Sequence, residues 1–364
     1  MTQPYHRIFN FSAGPCTLPV TVLEQARDDL MNYRGTGMSV MEMSHRSKPF
    51  ETILAQAQSG LKELLSIPDD YDILFLQGGA SQQFTMIPLD FLNPGKSADY
   101  VVTGTWGSKA VESAKLLAPV DVVYNGKPEG YRTAPDWSML NFNKDAAYAH
   151  FTSNETIQGV EFHKDPTCSI PVICDMSSDI LSRKVDVSKY SLIYAGAQKN
   201  MGPAGVTAVI LKKDMLSKLN QNLAPTLDYK VQADNNSMYN TPPCWSIYLC
   251  SLVYQNLLVH EGVEGANKRN NAKANLLYNV IDSCGGFYKG HADQKSRSIM
   301  NVTFTLPSEE LTIEFVKQCT ADGMDGLKGH RSVGGCRASL YNAFPLEGCQ
   351  KLADAMVDFA KKKG

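Results

Sequence analysis

The sequence predicts an α/β protein, with a large domain built on a mainly parallel sheet and a smaller α+β domain after it. Three observations predict it. From about residue 17 to 260, short apolar runs alternate with stretches of helical periodicity, the pattern of a sheet covered on both faces. AYAHFTSNE, VICDMSS and LIYAGAQKN share one design, an apolar strand ending in polar or small residues. Beyond residue 260 the texture changes, and 364 residues are enough for two cores. The division read from this is an N-terminal segment 1–15, a large domain 16–260 and a small domain 261–364.

Taken in order, SKPFETILAQAQSGLKELLS (47–66) reads as a helix. Ser47 can cap it, Pro49 suits its first turn, and Phe50, Ile53, Leu54, Ala57, Leu61, Leu64 and Leu65 form one stripe. DILFL follows as a strand, GGASQQF as a turn entering a helix, YVVTGTWG as a strand with its loop, and DVVY as another strand. The three strand-and-polar-end segments come next, and VTAVILK closes the series. SIYLCSLVYQNLLV is too short to span a membrane and carries Gln255 and Asn256, so it reads as a buried amphipathic helix, beginning near Pro242–Pro243. In the small domain, 263–282 reads as helix, SIMNVTFTL as a half-exposed strand and 308–322 as helix. CRASLYN reads as a second strand, 346–361 as the last helix, and KKKG as its solvated end.

Composition excludes several classes. A net charge of −2 gives no bulk attraction to nucleic acid or an anionic membrane. MTQPYHRIFNFSAGP lacks the basic-then-apolar pattern of a secretory signal. Nine cysteines, an odd number with no C-x-x-C pair, argue for a reducing cytoplasm rather than a disulfide framework. There is no H-E-x-x-H, and no structural metal is expected.

In open α/β sheets the ligand site lies beyond the carboxyl ends of the strands. That rule selects the segments holding Trp106, Thr156, Asp175 and Lys199. The nucleotide loop G-x-x-x-x-G-K-[ST] is absent, because Lys199 precedes Gly202 and is followed by Asn200; GTGMSV fails the dinucleotide fingerprint at Val40. Lys199 and Asp175 at one sheet edge suit pyridoxal phosphate chemistry instead, the lysine forming a Schiff base and the aspartate keeping the pyridine nitrogen protonated. Taken alone, that spacing favours a structural or surface role. Further pieces add to it, each with an ordinary alternative. Trp106 can stack on a flat ring or simply fill a core. The N–H groups of Ala80 and Ser81 can hold a phosphate at a helix N-terminus, or mark a tight turn. Thr156 offers a hydroxyl or a cap. His-Arg-Ser occurs twice, at His45–Arg46–Ser47 and His330–Arg331–Ser332, with Arg337 close behind. These groups can frame a dianionic tail and an α-carboxylate, or be coincidental surface clusters.

An ordered set of motifs then carries a resemblance: FSAGPCTLP, MSHRSKPF, QGGASQQF, TGTWGSKA, SNETIQG, CDMSSD, GAQKNMGPAG, MYNTPPCWSIY and HRSVGGCRASLYNAFPLEG. Running from residue 9 to the C-terminus, they resemble the phosphoserine aminotransferases, in the class V branch of pyridoxal-phosphate enzymes with the aspartate aminotransferase fold (fold type I). The resemblance implies a cytosolic homodimer and a ping-pong exchange: 3-phosphohydroxypyruvate plus L-glutamate gives phosphoserine plus 2-oxoglutarate. It makes Lys199 the Schiff-base lysine and general base, Asp175 the partner of the ring nitrogen, Trp106 the stacking residue and Thr156 a hydrogen-bond partner of the cofactor. Ala80, Ser81 and Gln198 would bind the cofactor phosphate, with Asn240 and Thr241 reaching it from the neighbouring subunit. His45, Arg46, His330 and Arg331 would hold the substrate's phosphate or the glutamate side chain, and Arg337 the α-carboxylate. Some members carry arginine where this chain has Ser81. Three alternatives stand beside this reading. 4-Phosphohydroxythreonine has a similar phosphate tail. A cysteine desulfurase would need a nucleophilic cysteine, for which Cys336 is the residue to check. A non-catalytic relative would have no need of Lys199, Asp175 and Trp106 together.

Overall fold

The computed structural model describes residues 4–220 and 223–364. Residues 1–3 of the N-terminal segment lie outside it. After a short 3-10 turn (Pro4–His6) come strand β1 (Phe9–Asn10) and helix α1 (Val20–Asp28), followed by α2 (Lys48–Leu65). Every residue of the α2 stripe is buried, as expected when apolar positions recur on one helical face. Ser47 stands at the N-cap but its side chain makes no cap bond. Pro49, at the second helical position, has no N–H to offer it.

Then come β2 (Tyr71–Leu76), α3 (Gly79–Phe91), β3 (Ala98–Val102), α4 (Thr105–Lys115), β4 (Val120–Asn125) and β5 (Ala149–Thr152). A small hairpin, β6 (Asn154–Glu155) with β7 (Val160–Glu161), precedes β8 (Val172–Asp175), β9 (Leu192–Gly196) and β10 (Thr207–Lys212). Seven strands form one sheet in the order β2-β10-β9-β8-β5-β3-β4. β10 runs antiparallel to both neighbours, and the other pairings are parallel. Ile193 and Ala208 face one core cluster, whereas Leu192, Tyr194 and Val209 face another. Both faces are therefore dry, which is why these strands read as continuous apolar runs.

After α5 (Tyr229–Asp234), α6 (Cys244–His260) covers one face of the sheet and α7 (Gly262–Ser283) leads into a second hydrophobic core. α6 is buried as expected, but it is not amphipathic. Leu249 and Val253 pack on Val22 and Ala26 of α1, while Ile247, Tyr248, Tyr254 and Leu257 join the main core with α2. A helix sandwiched between two others needs apolar residues on both sides. Among the described residues, no helix is long and apolar enough to cross a membrane.

The remaining elements are β11 (Lys289–Gly290), β12 (Asn301–Thr305), α8 (Glu309–Ala321), β13 (Met324–Asp325), β14 (Cys336–Ser339) and α9 (Leu346–Lys363). β11, β12 and β14 form an antiparallel sheet. β1 pairs with β13, and Phe11 lies in this second core. The N-terminal segment thus packs with the C-terminal part of the chain. β12 is not half-exposed: four of its five residues are buried. Val302 and Phe304 enter the core, and the polar face is covered by the β6–β7 hairpin. There Asn154 Nδ2 donates to Asn301 Oδ1 at 2.8 Å, and Thr303 Oγ1 to the Ile157 carbonyl at 3.3 Å. Alternation marked a polar face correctly, but that face meets a polar partner instead of water.

Candidate active site

The carboxyl ends of β2, β3, β5, β8 and β9 open on a cavity of about 410 Å3, in the range of small-molecule sites. Lys199 enters it from the loop after β9. Its Nζ donates to Thr156 Oγ1 at 2.7 Å and lies 5.8 Å from the centre of the Trp106 ring. Small residues clear its path, since a Cβ on Gly14 would stand 3.1 Å from Lys199 Cγ. Cys16 Sγ donates to the Lys199 carbonyl at 2.7 Å and fixes the backbone behind it. Burial pushes the lysine ammonium down to about 8, against the charge of Asp175.

Asp175 is the last residue of β8, one strand along in the sheet. Its carboxylate accepts the Ser177 N–H at 2.8 Å. Burial holds its pKa above the usual carboxylate value, opposed by the Ser177 hydrogen bonds and the Lys199 charge. Trp106, in the first turn of α4, forms another wall. On the next side Gly79, Ala80 and Ser81 begin α3, whose first turn carries no acidic residue. The leading N–H groups of a helix have no intrahelical acceptor, and the macrodipole adds positive potential there, so this end suits an anion. Gln198 lines the cavity beside it.

The C-terminal part of the chain adds His330, and Arg337 of β14, to the cavity wall. Arg337 Nε is buried without a protein partner, as is suited to a fork that awaits a carboxylate or phosphate. Lys109, one turn along α4, joins them, its Nζ 4.8 Å from the Trp106 ring centre. Burial, then the charges of Arg337, Arg331 and Lys109, hold the His330 pKa below its usual value.

Five of the residues selected from sequence stay outside this cavity: His45, Arg46, Asn240, Thr241 and Arg331. His45 and Arg46 precede α2. Asn240 and Thr241 precede α6 and meet Gln77: Asn240 Nδ2 donates to its Oε1 at 3.2 Å, and its Nε2 to the Thr241 carbonyl at 2.9 Å. Conversely, Lys109, Asn154 and Ser178 line the cavity without having been selected, and Glu155 lies directly behind it. Glu155 accepts the N–H groups of Trp106 and Gly107 at 2.9 and 2.8 Å. Its signal was present in SNETIQG, as a lone acid inside a strand-end motif. Cys336 is fully buried in β14, and burial pushes its thiol up to about 12, so it offers no nucleophile.

The donor set fits pyridoxal phosphate. An aromatic wall suits its ring, a buried carboxylate its nitrogen, a free helix N-terminus its phosphate and a buried lysine its aldehyde. The family model of the aminotransferases of class V matches residues 8–352. The chain belongs to that family. Within it, this chain stands with the phosphoserine aminotransferases. The phosphoserine aminotransferase of Geobacillus kaustophilus is 51% identical over 356 residues, 98% of this chain and 99% of the relative. The solved phosphoserine aminotransferase of Bacillus circulans subsp. alkalophilus has a TM-score of 0.96 at 49% identity, covering 98% of this chain and 99% of that one. That of Trichomonas vaginalis, solved with pyridoxal phosphate bound, has a TM-score of 0.92 at 39% identity, covering 96% of this chain and 100% of that one.

Proposed function

We propose that this chain uses pyridoxal 5′-phosphate to transfer the amino group of L-glutamate to 3-phosphohydroxypyruvate, giving O-phospho-L-serine and 2-oxoglutarate in serine biosynthesis. One observation carries the reading: a single cavity combines Lys199, Asp175 and Trp106, gathered at the carboxyl edge of the large sheet, with the basic side chains Lys109, His330 and Arg337. When bound, the cofactor supplies an aldehyde to the amine and a ring that accepts the electrons of a carbanion. The residues do the rest. Asp175 holds a proton on the ring nitrogen. Lys199, lowered to about 8 by burial, is a base near neutral pH and carries the proton at the substrate's α-carbon. Arg337 takes the α-carboxylate common to both substrates. His330 and Lys109 face the distal anion, which is a carboxylate in one substrate and a phosphate in the other.

The same reading includes a cytoplasmic homodimer with shared sites. Asn240 and Thr241 of each subunit would reach the other's cofactor phosphate, and His45, Arg46 and Arg331 would complete the substrate pocket. In support, both pairs outside the cavity adjoin exposed apolar side chains: Met38 and Met41 before His45, and Tyr239 before Asn240. A partner subunit seated there would cover these apolar side chains.

The test takes the two half-reactions separately on purified protein. Glutamate should convert the bound cofactor to its amine form, and 3-phosphohydroxypyruvate should reverse that change. Failure of both would sink the reading; reversal by unphosphorylated hydroxypyruvate with equal efficiency would sink the phosphate assignment alone. Sedimentation should give a dimer. Mixing the inactive variants Lys199→Ala and Asn240→Ala/Thr241→Ala should restore activity if the sites are shared.

A further inference from the structure

We propose that Glu155 is a positioning residue for Trp106: its carboxylate locks the first turn of α4 and thereby sets the plane in which the indole meets the cofactor. The proposal rests on the cofactor reading above.

Glu155 is 0% exposed and, among the described residues, forms no salt bridge. What holds it is backbone. Oε2 accepts the Trp106 N–H at 2.9 Å and Oε1 the Gly107 N–H at 2.8 Å. Gln158, on the same hairpin, accepts the Thr105 N–H at 3.2 Å and returns its Nε2 to Thr105 Oγ1 at 2.7 Å. Three successive N–H groups of the opening turn, which no helical carbonyl can satisfy, are thus taken by two side chains of one hairpin. The carboxylate also meets the positive end of the α4 dipole.

The glycines around Trp106 belong to the same device. A Cβ on Gly104 would stand 2.4 Å from the Glu155 carboxyl carbon, and one on Gly107 would stand 3.3 Å from Oε1. TGTWG is therefore a socket for a carboxylate as much as a loop around an indole. An ordinary cap would be supplied locally, by Ser, Thr or Asp at the residue preceding the helix; here that residue is Gly104. The cap comes instead from 49 residues along the chain, and the next residue, Thr156, receives the Lys199 amine at 2.7 Å. Consecutive residues of one rigid hairpin thus fix the indole and the lysine relative to each other.

The experiment is a double-mutant cycle. Wild type, Glu155→Gln, Trp106→Ala and the double variant are titrated as apo-proteins with pyridoxal phosphate by calorimetry. Visible circular dichroism of the bound cofactor and the thermal midpoint of each apo-protein are recorded alongside. Glutamine keeps the shape but turns an amide N–H toward a backbone donor. With Trp106 present it should weaken binding about tenfold, the scale of one lost charge-assisted bond, and change the cofactor's dichroism. With Trp106 already alanine, the same substitution should alter affinity less than about twofold. Equal losses in both backgrounds, or unchanged affinity and dichroism, would overturn the proposal and leave Glu155 a purely structural cap. If Glu155→Gln does not fold, Gln158→Ala loosens the same turn and goes through the same cycle, with a smaller loss expected and additivity again decisive. A wild-type protein that binds no pyridoxal phosphate would overturn the cofactor reading itself, and this proposal with it.

Discussion

The amine of Lys199 donates to the hydroxyl of Thr156 at 2.7 Å, linking the loop after β9 to the hairpin after β5. The contact gives a long, flexible side chain one direction inside an otherwise open cavity. It also holds the amine in a setting where burial has already lowered its proton affinity to about 8. A lysine at its ordinary value of 10.5 would be almost wholly protonated at neutral pH and could neither attack an aldehyde nor act as a base.

The pH dependence of cofactor capture follows. Only the neutral amine attacks, so the capture rate of the apo-protein should rise with pH and level off above about 8. Below that midpoint it should fall about tenfold per pH unit. Stopped-flow absorbance of the mixed apo-protein and cofactor reads this directly. A midpoint above 10 would show that burial does not tune this lysine. Lys199→Ala should show no capture step and lose roughly a thousandfold or more in turnover.

Lys109 predicts a split between the two substrates. It lines the cavity with His330 and Arg337; in the proposed reading it faces the distal anion with His330, and a phosphate dianion feels an added cation more than a carboxylate does. Lys109→Met should raise KM for 3-phosphohydroxypyruvate about tenfold and for glutamate about twofold. Arg337→Lys, by contrast, should raise both, because each substrate carries the α-carboxylate. Steady-state kinetics at fixed ionic strength distinguishes the two patterns.

Lys273 predicts a loss of stability without a change of chemistry. Fully buried on α7, its Nζ donates to the carbonyls of Leu340, Tyr341 and Phe344 at 2.7, 2.7 and 3.2 Å. It ties the long helix to the turn between β14 and α9. Lys273→Met fits the space but abandons three acceptors, and should cost about 3 kcal/mol. Urea unfolding of the variant measures the loss, while KM for both substrates should stay near wild type.

Much of the fold could be read from the chain because its strands and helices bury continuous or periodic apolar faces. The α2 stripe and the apolar runs of the sheet are local patterns. Where the reading failed, something outside the segment decided. β12 alternates, but the β6–β7 hairpin covers its polar face; α6 lost its amphipathic character because α1 and α2 press on it from two sides. Ser47 makes no cap bond, and Pro49 two residues on, which lacks an N–H, was legible in the sequence.

At the site, motif order picked out Lys199, Asp175, Trp106, Thr156 and the first turn of α3, since strand ends at one sheet edge are fixed by topology. Sequence by itself determined the alternation that builds that edge and the chemical types placed on it. Only the tertiary structure decided which polar groups meet. It brought His330 and Arg337 from the C-terminal part of the chain to that edge, left His45 and Asn240 away from it, and set Glu155 against Gly104 and Gly107. The reason is physical. Periodicity records which face of an element avoids water, whereas a buried carboxylate is defined by the donors that surround it, and those come from distant parts of the chain.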